Sequence, residues 1–564
     1  MIRNPNYREE NFLVPNFEVS WPFYTVESDY LSAWVCLLFA IIFGILAYKR
    51  IQLKPLWRNT ILSLCAMGGL LVFTNFLTFH GPMGKDRVRL VQSWDMFHYV
   101  IGARYQAELG YDHFYDACLL ALREIETTQR DSDFWQRFQY RDMRTYDILP
   151  GAAALMQEAE IKAPFSKIRW EQFVQDVTYF YNDLSPEYFY NVFGDHGYNP
   201  PPTYTLVAKL FVGSGDLTEA KLLLLASIDW ILLALALALI GWGFGLEAAL
   251  LTVSLFGVAY MSNFSWVGNA FLRFGWLAGI IGGIVFQKKS WPIASGISLG
   301  FAAGLRVFPG ILLFSLAFPF IWSWWKEMKA VEKDKRSLMD DLLAWRRSTR
   351  CVQLMKTVVS AAVFLVVWGI AAELTSDRTG VWPEWKDTIS LHEGRLSANH
   401  VGLRSGITLH PELTSGKIVA ADPIEWWNEK KAETLAKRAW IYIPIILVYL
   451  GLLLACSRRV SLYHYLLIGL SSFFFFLDLS GYYYSFLALL PLLFTGRTFR
   501  NISVEYLAAA LLALLVLSHY WTQQIYQYLD WVYAVSSFVL IPLFLALPVC
   551  YLFIERSHTR HHSN

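Results

Sequence analysis

The sequence predicts an all-α integral membrane protein with about thirteen transmembrane helices, and three observations lead there. Of its 564 residues, 55% are hydrophobic and only 17% are charged, where a soluble globular chain carries roughly 25% charged residues. Apolar runs of bilayer length recur along the chain, separated by two long polar stretches. When thirteen helices are threaded through a membrane, the basic residues of the short connections all fall on one side, as retention of lysine and arginine in the cytoplasm requires.

A bilayer core takes about 20 apolar residues per helix. Runs of that kind lie near 30–48, 60–79, 221–241, 246–262, 268–286, 291–306, 308–325, 357–374, 439–456, 461–478, 481–495, 504–520 and 531–554. The basic residues that share a side are Lys49, Arg50, Lys54 and Arg58, then Lys288 and Lys289, Arg458 and Arg459, Arg497 and Arg500, and Arg556 and Arg560. The stretch 326–356 joins them as a basic cytoplasmic loop. This threading places the N-terminal segment 1–29 outside and the tail 555–564 inside. It groups the helices as 30–79, 221–325, 357–374 and 439–554. No basic segment precedes an apolar signal at the N-terminus, so the first transmembrane helix is expected to target the chain.

Two large loops, 80–220 and 375–438, then face outward. The first is rich in Trp, Tyr and Phe and carries amphipathic stretches at 96–109, 113–128 and 166–183. In the last, Ile168, Phe173, Val177 and Phe180 recur at helical spacing, which predicts a helical domain. The second loop is polar and punctuated by Gly and Pro, as a cap or lid would be. The six cysteines show no CxxC pairing, and no structural disulfide is expected. A net charge of +2 without a basic arm excludes nucleic acid as an expected partner.

Chemistry concentrates just past the second helix, in Ser93-Trp94-Asp95-Met96-Phe97-His98-Tyr99, followed by Gly102-Ala103-Arg104-Tyr105 and Glu108-Leu109-Gly110-Tyr111. Asp95 and His98 are three apart and would share a helical face. A carboxylate and an imidazole at the membrane boundary suit general-base work or metal binding. Asp95 also stands where a helix could begin, so its carboxylate could simply cap free backbone amides.

A large first outer loop that opens on an acidic residue and continues as surface-lying helices resembles the GT-C superfamily of membrane glycosyltransferases. The Asp-x-x-His-Tyr and Glu-Leu-Gly-Tyr phrases are similar to those of bacterial membrane proteins placed near that group. In function, the resemblance is to the polyprenyl-phosphate-mannose-dependent mannosyltransferases. The resemblance implies that Asp95, at the position of the first-loop carboxylate, deprotonates the acceptor hydroxyl or helps to hold a divalent metal. It further implies a polyprenyl-phosphate sugar donor, a glycan, lipid or protein acceptor, and a bacterial inner membrane with the site facing out.

A second segment, Gly194-Asp195-His196-Gly197-Tyr198-Asn199-Pro200-Pro201-Pro202, reads either as an ordinary turn or as a proline-fixed loop aiming Asp195 and His196 at the cavity of Asp95. A phosphate-bearing donor also needs cations. Arg306 lies among apolar residues, where a charge must be paired or hydrated, and a guanidinium can grip a phosphate with two hydrogen bonds. Pairing with another helix, or reaching to the interface, is its alternative role. Arg273, near another helix end, is the weaker candidate. Asp478 could pair with Arg306 or cap a helix. In the second outer loop, His400 and Arg404 are four apart and could contact the phosphate together, and His392-Glu393 is the other polar pair there. His558, His561 and His562 read as a solvated tail.

The expected reaction is a single displacement with Asp95 as base and Arg306, His400 and Arg404 near the phosphate. No P-loop or dinucleotide fingerprint occurs, which favours a lipid-linked donor over a nucleotide sugar. Two other classes compete: a transporter or flippase, disfavoured by the absence of an internal repeat, and a non-catalytic subunit docked to membrane-complex partners.

Overall fold

The computed structural model describes residues 26–49, 52–77, 79, 90–126, 132–259, 264–323, 325, 349–392, 397–410, 414, 423–458, 460–525 and 529–561. Arg50, most of the basic stretch 326–356, Glu393, Arg459 and His562 lie outside the described residues, as do the side chains of His392, His558 and His561. Seven helices are long and apolar enough to cross a membrane: Asp29–Lys49, Pro55–Phe73, Glu219–Phe244, Thr349–Leu374, Ala439–Ser457, Val504–Ile525 and Asp530–Arg556. Their outward faces are apolar. On the first of them Tyr30, Trp34, Leu38, Ile41, Ile45 and Tyr48 form an exposed stripe, with aromatic rings near both ends as at membrane interfaces. The chain is an all-α integral membrane protein.

Between these helices stand shorter apolar ones: Leu246–Val258, Gly275–Lys288, Pro292–Leu305, Gly310–Ser323, Leu462–Phe476 and Gly481–Phe494. At 1.5 Å per residue, fourteen residues of α-helix span only about 21 Å, short of a bilayer core of about 30 Å. Gly481–Phe494 is wound as a 3-10 helix, whose greater rise stretches the same number of residues to about 28 Å. Pro292–Leu305 packs on Thr349–Leu374 through small residues. A methyl group on Gly296 would strike the Thr357 carbonyl, and one on Gly304 would strike the Trp368 ring. Close backbone approach of this kind is how helices associate without water to drive them together.

The short helices end in irregular turns. Arg306 is extended just past Leu305, Leu477 is extended just past Phe476, and the turn Phe271–Phe274 precedes Gly275. Charged residues collect at these breaks.

Residues 90–126 and 132–212 fold over the breaks as a helical domain with its own aromatic core, in which Phe97 meets the rings of Phe114, Phe180 and Phe189 edge-on. Its longest helix, Lys167–Leu184, starts on a Ser166 cap and buries Phe173, Val177 and Phe180. Ile168 is exposed rather than part of that face. The buried Arg104–Asp176 pair, at 3.1 Å, and the Tyr105 hydroxyl donating to Asp176 tie this helix to the segment carrying Asp95.

The second loop docks on the first. Glu384, in the helix Val381–His392, accepts the Tyr111 N–H at 2.6 Å, and the Trp385 indole donates to the Asn199 carbonyl at 3.1 Å. Three two-stranded ribbons are the only strands among the described residues, and one of them pairs His400–Val401 with Leu479–Ser480.

Candidate functional site

Asp95 lies in the short helix Ser93–Met96, which passes into a π-helix over Phe97–Ile101 and returns to α at Gly102–Arg104. Helices interrupted in this way often mark functional sites. The widened turn decides where the side chains go. The helix starts on Gln92, which makes no side-chain capping bond, and its first turn carries Asp95. The Asp95 carboxylate meets Arg273, with Oδ2 2.8 Å from Nη2 and side chains 15% and 6% exposed. Burial pushes the Asp95 carboxyl above the usual carboxylate range, while Arg273, and to a lesser degree His98, draw it back.

His98 turns to a different partner. Its Nδ1 donates to the Trp94 carbonyl at 2.8 Å, and its Nε2 lies 2.8 Å from the Tyr115 hydroxyl. Tyr115 in turn accepts the Gly197 N–H at 2.9 Å. Asp195 stands 4.0 Å from the same Nε2 and accepts the Trp94 indole N–H at 2.6 Å. Burial opposes ionisation of Asp195, but His98, His196 and the Trp94 and His196 N–H groups outweigh it and hold the group below the usual range. Arg141 grips the Gly194 and Asp195 carbonyls, so the loop is a fixed wall rather than a free turn. His196 faces away from Asp95, stacked on Tyr146 and hydrogen-bonded to its hydroxyl.

Arg273 and Arg306 form the cationic floor. Arg273 sits 4.3 Å above the Tyr482 ring, and its Nε is buried without a hydrogen bond. Its turn is held from below by Asp229, a 3% exposed carboxylate in the apolar helix Glu219–Phe244. Asp229 accepts the Arg273 and Phe274 N–H groups at 2.9 and 3.0 Å. Arg306, 6% exposed, lies between the Tyr99 and Tyr204 rings, 4.7 and 5.3 Å from their centres. Its Nε and Nη2 are buried without a hydrogen bond, and it has no ion pair among the described residues.

Of the roles open to Asp478, pairing with Arg306 is not the one the structure shows. Asp478 binds Arg404 at 2.5 Å and accepts the Ser405 backbone and hydroxyl hydrogens, because the His400–Ser480 ribbon carries it under the turn Leu403–Ile407. Arg404 is therefore engaged by a carboxylate. His400 is neutral, pushed down to about 4 by burial, and its Nδ1 accepts the Ser397 N–H. His196 and Arg404 are both within electrostatic reach of it.

No family model, no curated protein and no solved structure matches this chain.

Asp95 is turned to Arg273, His98 to Tyr115, and no group of three His, Cys, Asp or Glu residues suited to a metal occurs among the described residues. The sequence reading passed over Asp229, although a lone carboxylate in an otherwise apolar helix is the signal that finds it. It also undervalued Arg273, whose partner lies 178 positions away and leaves no local trace.

Proposed function

We propose that this chain is a glycosyltransferase of GT-C type, with thirteen spans, its N-terminus and site outside and its C-terminus in the cytoplasm. In this reading it moves a sugar from a polyprenyl-phosphate donor to an acceptor hydroxyl at the outer face of a bacterial inner membrane. The observation that carries this reading is a raised carboxyl, Asp95, beside two buried arginines whose N–H groups are not all used. A buried guanidinium without a counter-ion is costly, and a phosphate is the anion its fork fits.

In the reaction the acceptor oxygen attacks the anomeric carbon as its proton passes to Asp95. The carbon–oxygen bond to the phosphate breaks, and the charge left on the polyprenyl phosphate is met by Arg306. One base and cations at the leaving group suffice for inversion. Asp195 and His98 act by holding Trp94 and the Asp95 helix in place.

The test is transfer from a panel of polyprenyl-phosphate sugars, mannose among them, by the purified protein beside an Asp95→Asn variant of equal thermal stability. Transfer that disappears in the variant supports the reading. A transporter or flippase is the second reading, favoured by the short helices that break at Arg306 and Leu477, since discontinuous helices build transport sites. Translocation of a labelled polyprenyl phosphate across vesicles, with no sugar transferred, would establish it instead.

A further inference from the structure

We propose that the Asp95–Arg273 pair is a donor-operated latch, in which a phosphate seated on Arg306 draws the Arg273 guanidinium off Asp95 and frees that carboxylate for the acceptor. The proposal rests on the donor-phosphate reading above and adds an order to it: donor first, acceptor second.

Four observations carry it. Arg306 has two buried N–H donors without partners and no ion pair among the described residues, so it is the stronger attractor for an incoming anion. Arg273 uses its fork only in part. It meets Asp95 through one nitrogen, its Nη1 is 3.5 Å from the Tyr99 hydroxyl, and its Nε has no hydrogen bond. Both guanidinium groups lie within 6 Å of the same Tyr99 ring centre, at 5.8 and 4.7 Å, so an anion on one is close to the other. Asp229 pins the Arg273 backbone, which confines the switch to the side chain.

With Arg273 in place, Asp95 is spoken for and cannot take a proton from a hydroxyl. With Arg273 gone, a buried carboxylate has lost its cation and needs a hydrogen-bond donor, which the acceptor hydroxyl supplies. The other charged groups in reach of Asp95 are His98, Asp195 and Arg306, and the phosphate neutralises the last of these.

The experiment uses farnesyl methyl phosphate, a diester with one charge that does not titrate near neutrality. Its binding to the full-length protein is measured by calorimetry at pH 7. The latch predicts that Asp95→Asn binds the probe about tenfold more tightly, and that this gain vanishes in an Arg273→Gln background. The double-variant cycle isolates the pair from a general loss of negative charge. Each variant is compared at a melting temperature equal to the parent's. Probe binding weakened by Arg306→Gln, but with no effect of Asp95→Asn, overturns the latch and leaves the donor-site reading standing. Absence of probe binding, or binding indifferent to Arg306→Gln, removes both.

Discussion

Replacing Asp229 by Asn tests whether the site is held from inside the membrane. The two carboxylate oxygens each accept one backbone N–H, from Arg273 at 2.9 Å and from Phe274 at 3.0 Å, and the residue is 3% exposed. An asparagine keeps one oxygen and sets an NH2 group against the other N–H. One hydrogen bond is lost and one buried donor is orphaned, at a cost of about 2 kcal/mol. If that cost falls on the placement of Arg273, sugar transfer drops about thirtyfold, since each 1.4 kcal/mol is about a factor of ten. Asp229→Ala orphans both donors and costs about 4 kcal/mol. Thermal unfolding in detergent reads the stability term, and initial transfer rates read the other. Ser227→Ala serves as control, because that exposed hydroxyl bonds only the Leu224 carbonyl of its own helix, and it should change neither. An Asp229→Asn protein that melts like the parent and transfers within twofold of it would show that the two bonds do not position Arg273.

Arg306→Gln should lower transfer about a hundredfold, and Arg306→Lys should recover little of it, since an ammonium lacks the fork that stacks on Tyr99 and Tyr204 and grips two oxygens; steady-state rates with varied donor decide it. Gly102→Ala sets a methyl group 2.2 Å from the Tyr198 ring, and overpacking there should cost about 1–3 kcal/mol in the melting curve. His400 gives a pH signature. Burial holds it near 4 in the folded chain against 6.5 when free, so below pH 6.5 the unfolded chain takes a proton that the folded chain refuses. Its contribution is undiminished above pH 6.5 and turns unfavourable as pH falls toward 4, by at most about 3 kcal/mol. His400→Gln should flatten the fall in melting temperature over that window.

How far the sequence could be read is decided by the range of the interaction that fixes each feature. Apolar runs and amphipathic periods are local, so helices stand where Phe173, Val177 and Phe180 repeat, and the spans follow from composition alone. The site is a different case. Asp95 and His98 were placed on one face because an α-helix repeats near that spacing, but the π-helix from Phe97 widens the turn and sends one side chain to Arg273 and the other to Tyr115. Nothing within that segment announces the extra residue. The tertiary lock comes from Tyr115, Gly197 and the aromatic core around Phe97. The arginines show the same limit. Arg306 stands out because a charge among apolar residues is anomalous by itself, whereas for Asp478 pairing with Arg306, capping and interface exposure all stay open on sequence. Only the ribbon joining Val401 to Leu479 brings Arg404 to that carboxylate. Arg306 has no ion pair among the described residues, and its unpartnered N–H groups are the feature a phosphate would fill. Asp478, 2% exposed, is held instead by Arg404, so Arg404→Gln should strand a buried carboxylate and lower the melting temperature measured in detergent.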